Sequence, residues 1–100
     1  MLNNSFMIPA THPGLDGHFP GHPIVPGVVI LDRVVNGLIS QLQGASLDGI
    51  NHVKFMRPLF SNAVVLVTYQ SKSETVYRFS CECDSTVIVS GQIQLTIFEG

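Results

Sequence analysis

Three histidines, His12, His18 and His22, fall within eleven residues, and a lone acid, Asp32, follows in a stretch that is otherwise apolar. Imidazole exchanges protons near neutral pH and is also the commonest metal ligand. The spacing His-x5-His-x3-His lies on a segment broken by proline, not on a helix that would align ligands at i and i+4. No carboxylate or thiol stands nearby at clear ligand spacing. No metal site is therefore expected. Asp32 sits directly after Val28-Val29-Ile30-Leu31. A buried carboxylate must be paired, hydrogen-bonded or protonated. Arg33 is its sequence neighbour, but consecutive helix residues do not face each other. Two roles stay open: a carboxylate favoured near a helix start by the dipole, or a general acid held protonated by burial. Cys81 and Cys83 share one strand face at a spacing of two and read as free thiols in a core.

The elements that must position these groups follow from punctuation and periodicity. A short strand is expected over Ser5 to Ala10. From His12 to Pro23 the chain is dense in Pro, Gly and His, which excludes a regular helix or central strand. A structured loop of this length is usually functional, and Leu15, Phe19, Ile24 and Val25 give it apolar anchors. A helix is expected from Gly27 to Gln43, with Pro26 at its start and Gly44 at its stop. At 100° per residue, Val28, Leu31, Val34, Val35, Leu38, Ile39 and Leu42 form one stripe. Arg33, Gly37, Ser40 and Gln41 lie opposite, and Val29 and Ile30 make the first turn apolar all round. A glycine at position 37, inside the helix, costs about 1 kcal/mol against alanine; it either admits the close approach of another backbone or is simply tolerated.

The remainder reads as strands. Thr75 to Cys83 alternates, with Tyr77, Phe79, Cys81 and Cys83 on one face and Arg78, Ser80 and Glu82 on the other. Val87 to Phe98 alternates likewise, with Val87, Val89, Ile93, Leu95 and Ile97 inward. Ala63 to Gln70 is apolar on both faces, and Ile50 to Arg57 is a weaker strand. Short connections at 71–74 and 84–86 suit hairpins. One apolar helix and one half-buried antiparallel sheet must cover each other. The fold class is α+β, a sheet wrapped on a single helix, and residues 1–100 form one domain.

Composition narrows the functions. Charged residues are 12% and hydrophobic ones 45%, against roughly 25% charged in an average soluble domain. A surface so poor in charge suits burial in an oligomer. The net charge of −2 argues against a nucleic-acid footprint, which needs a basic face. No apolar run approaches the about 20 residues of a membrane span, and no secretory signal is read, so a cytoplasmic protein is expected.

The segment His18-Phe19-Pro20-Gly21-His22-Pro23-Ile24-Val25-Pro26-Gly27, followed after four residues by Asp32, resembles the signature of the hotdog-fold 3-hydroxyacyl-[acyl-carrier-protein] dehydratases, the FabZ and FabA group. Its pattern is H-F-x-G-x-P-x-x-P-G and then Glu or Asp. Lys54-Phe55-Met56-Arg57-Pro58 resembles the family's second segment, K-F-x-R-P. The resemblance implies that His18 is the catalytic histidine and Asp32 its acidic partner. It implies that the backbone N–H at Gly27, or at Val28, polarises the thioester carbonyl. It also implies a homodimer with the histidine and acid of each site from different chains, an acyl-carrier-protein or CoA thioester as substrate, and no cofactor. The compact length is similar to the small ApeI-like dehydratases of aryl-polyene pathways. Lys54, Arg57, Lys72 and Arg78 are candidate contacts for an acidic carrier, or solvated edge charges. A thioesterase and a non-catalytic acyl-binding subunit are the rival readings. His22, His12, Asp16 and His52 read as loop or strand-surface residues.

Overall fold

The computed structural model describes residues 1–15 and 24–98. Five strands form one antiparallel sheet in the order β1-β3-β4-β5-β2, with one α-helix packed on it. The strands are β1 (Leu2–Met7), β2 (Ala45–Phe55), β3 (Val64–Ser71), β4 (Val76–Cys83) and β5 (Thr86–Ile97); the helix α1 is Gly27–Ile39. The last three strands form the expected meander. Its second hairpin turns on Asp84 and Ser85, both at positive φ (51° and 63°), the geometry that matches the twist of the flanking strands. β1 and β2 close the two edges, so the sheet covers one helix as the hotdog reading expects.

The core lies between α1 and the inner sheet face. Val34 and Leu38 from the helix meet Val65, Val67 and Tyr69 of β3, Phe79 and Cys81 of β4, and Val89 and Ile93 of β5. The segment before the helix joins this core: Leu15 ends a 3-10 turn over Pro13–Leu15, and both Leu15 and Val25 are buried. The expected docking of that zone is thus seen at those two positions. Phe19 lies outside the described residues.

Several expectations are corrected by packing. β1 begins at Leu2, earlier than read, because its register with β3 runs from Leu2↔Tyr69 to Met7↔Val64. The helix turns its Ile30–Val34–Leu38 ridge into the core; Val28 is 73% exposed and Ile30 only 2%. Apolarity all round the first turn had left the azimuth open, and the sheet chose it. The helix ends four residues early. Gln41 and Leu42 donate to the carbonyls three residues back, which tightens the exit into a 3-10-like turn. Gly44 then adopts φ +68°, a conformation open to glycine at little cost.

β3 alternates strictly, despite apolar residues on both faces. Val65, Val67 and Tyr69 are buried, while Val64 (59%) and Leu66 (55%) face out. β2 is longer than read, starting at Ala45, and carries register shifts at Leu47/Gly49 and Asn51/Lys54. His52 sits in the second shift at φ 54°, exposed as expected. Ile88 is buried beside Val89, because β4 and β5 slip register between Cys81 and Glu82.

Candidate active site

The start of α1 is held from two directions. Val25 N–H donates to the Leu59 carbonyl at 2.8 Å, and Ile24 bridges Phe60. This ties the entry strand to the segment that follows β2. The Phe55 ring, at the end of β2, lies over Gly27: a Cβ there would stand 2.7 Å from the ring's Cζ. Any side chain at Gly27 would displace that ring, which is itself 52% exposed. Phe55 escaped the sequence reading as an individual residue, although the K-F-x-R-P segment contains it.

Pro26 is the N-cap, at φ −60° and ψ 144°, and no side chain caps the helix. Val29 and Ile30 N–H groups both donate to the Pro26 carbonyl, at 3.0 and 3.3 Å. The N–H groups of Gly27 and Val28 find no acceptor among the described residues. No acid occupies the first turn. Two donors with no acceptor among the described residues, at the positive end of a helix dipole, suit an oxygen that gains negative charge.

Asp32 lies in the second turn, about 7.5 Å along the axis from Gly27. It is exposed, on the side of α1 away from the buried ridge. The burial that the sequence reading weighed for this carboxylate is not provided within the described chain. His18, His22 and Asp16 lie outside the described residues.

The remaining candidates separate. Lys54, Arg78 and His52 line one concavity of about 390 Å³ on the outer sheet face, with Ser90, Gly91 and Gln92. Arg57 lines another, with Phe60 and Cys83, and Lys72 sits exposed in the β3–β4 connection. None of these concavities reaches Gly27 or Asp32. Phe79 is core and Tyr77 half-buried, so the aromatic stripe is packing. Burial pushes the Cys81 thiol up to about 12. Cys83 is raised as well, by burial and then by Asp84. A raised thiol is a poor nucleophile at neutral pH.

Comparison with known proteins adds three findings. The family model described as ApeI-like, ApeI dehydratase, matches residues 2–92. Among curated sequences, the chain is similar to a 3-hydroxyacyl-[acyl-carrier-protein] dehydratase FabZ of Ehrlichia chaffeensis: 31% identical over 87 residues, 77% of this chain and 61% of that protein. The FabZ of Thermus thermophilus is 34% identical over 64 residues, 55% of this chain. The chain spans about half (45%) of that protein's length. Among solved structures, the dehydratase heterocomplex ApeI:P from Xenorhabdus doucetiae aligns with TM-score 0.80 at 27% identity, over 93% of this chain and 84% of that one. A hypothetical protein from Aquifex aeolicus aligns with TM-score 0.70 at 8% identity, over 98% of both chains, a likeness of fold alone.

Proposed function

This chain belongs to the ApeI-like dehydratase family, and from that membership we propose that it removes water from a (3R)-3-hydroxyacyl thioester borne by an acyl carrier protein. The product is a trans-2-enoyl thioester, for fatty acid or aryl-polyene assembly. The observation that carries the reading is the start of α1, which no described side chain caps. Its Gly27 and Val28 N–H groups, beside the Phe55 ring, have no acceptor among the described residues, and Asp32 lies one turn further along the same helix.

The chemistry requires loss of a weakly acidic C2 proton and of hydroxide from C3. N–H groups of Gly27 and Val28 bind the thioester oxygen and stabilise the enolate-like charge that develops there. His18, neutral, takes the C2 proton. As the C2=C3 double bond forms, the C3–O bond breaks, and Asp32, protonated, gives its proton to the departing oxygen, which leaves as water.

An exposed Asp32 supports a site completed by a second protomer. β2 is an 11-residue edge strand whose last residue covers the helix start. Unpaired edges of this length are templates for another chain. Exposed Val28, Phe55 and Met56 add apolar surface beside it. We read a homodimer in which His18 of one chain serves Asp32 of the other, with residues 1–100 as one domain. No described helix is long and apolar enough to cross a membrane, and we assign the protein to the cytoplasm.

One neighbour's printed description, a dehydratase heterocomplex, favours a second reading. In it this chain binds the acyl thioester as a non-catalytic partner of an active hotdog subunit. Mass spectrometry of a (3R)-3-hydroxyacyl carrier protein incubated with this protein separates them. Loss of one water with the protein, and none with His18→Ala, supports the dehydratase. Release of free acid indicates a thioesterase. An unchanged substrate with both proteins, across chain lengths and CoA esters, favours the binding subunit.

A further inference from the structure

One flank of α1 is fastened by polar contacts that the hydrophobic core does not need. Tyr69, fully buried on β3, donates its hydroxyl to the Val34 carbonyl at 2.6 Å. The Asn4 side chain, reaching from edge strand β1, hydrogen-bonds the same hydroxyl. Gly37 fills the third corner: a Cβ there would meet Tyr69 Oη at 2.8 Å and would press on Asn4 Nδ2. It is these two side chains, not a neighbouring backbone, that explain the mid-helix glycine. One turn further, Gln41 Nε2 donates to the carbonyls of Asn3 and Gly37, each at 2.9 Å.

Apolar burial is non-directional and selects the face that turns inward, whereas hydrogen bonds to the helix backbone add a directional constraint on its azimuth and height. A phenylalanine at position 69 would bury as much ring. The hydroxyl therefore adds orientation. Gly37 and Asp32 lie about 140° apart around the axis, so a roll at the fastened flank swings the acid on the open one. We propose that Tyr69 and Asn4 are positioning residues for Asp32, holding α1 at the angle from which its carboxyl meets the departing oxygen. The inference rests on the general-acid role of Asp32.

The test compares two leaving groups. A 3-hydroxyacyl thioester needs a proton on its departing oxygen, while a 3-chloroacyl thioester loses chloride without one. With Tyr69→Phe, kcat on the hydroxy substrate should fall about tenfold with KM within about twofold, and enzyme-catalysed chloride loss should stay at the wild-type rate. Asn4→Ala, which keeps Tyr69, should show the same selectivity if the first variant folds poorly. Equal loss on both substrates, or none on either, overturns the proposal. Asp32→Asn run beside them separates the two levels: if it leaves hydroxyl elimination unchanged, the general-acid reading itself has failed.

Discussion

Cys81 and Tyr69 occupy the same inner sheet face, and burial raises both to about 12, from ordinary values of 9 and 10. Both groups stay protonated in the folded chain after the unfolded chain has begun to lose those protons. Between about pH 9 and 12 the folded state binds more protons, so stability falls as pH rises through that window. Below about pH 9 the contribution is fully present. Urea midpoints should be level from pH 7 to 8.5 and then decline, and Cys81→Ala should flatten the decline. An unchanged slope in that variant would place the alkaline sensitivity elsewhere. At Asp32 the expectation is of another kind. Asp32→Asn keeps size and exposure, so its urea midpoint should match wild type while turnover of the hydroxyacyl substrate is lost.

At the scale of elements, α1 and β3 show how tertiary partners choose a face. β3 is apolar on both sides, yet only Val65, Val67 and Tyr69 enter the core, because its pairing with β1 and β4 fixes the pleat. Leu38→Ala should cost about 2–5 kcal/mol, the range for a buried leucine whose cavity relaxes incompletely. Leu66→Ala, on the outer face, should cost under about 1 kcal/mol. Comparable losses in denaturant titrations would mean that the outer face is also covered in solution. The helix adds a similar lesson: seven apolar residues satisfied a stripe through Val28, and an equally consistent ridge through Ile30 is the one buried.

At the scale of the whole molecule, the shared-site reading makes a prediction that no single-chain site allows. His18→Ala and Asp32→Asn should each be inactive alone. Mixed and allowed to exchange protomers, half of the dimers become hybrids, each with one intact site, and activity should return to about a quarter of wild type. A mixture as inactive as its components would put both residues of each site in one chain. The scarcity of charge, 12% of residues, agrees with a molecule that hides part of its surface in an assembly.

The sequence by itself determined the strand–loop–helix–meander order, the helix start at Gly27 and the acid that follows it. These rest on local signals: proline before a helix, alternation in strands, and a spaced motif whose residues are close along the chain. The structure decided what depends on distant partners. Phe55 on Gly27, Tyr69 and Asn4 against Gly37, the burial of Ile30 in place of Val28, and the extension of β2 back to Ala45 all join residues far apart in sequence. Periodicity fixes which residues share a face, but only the packed sheet fixes which face turns inward, because burial is a property of the neighbours as much as of the residue.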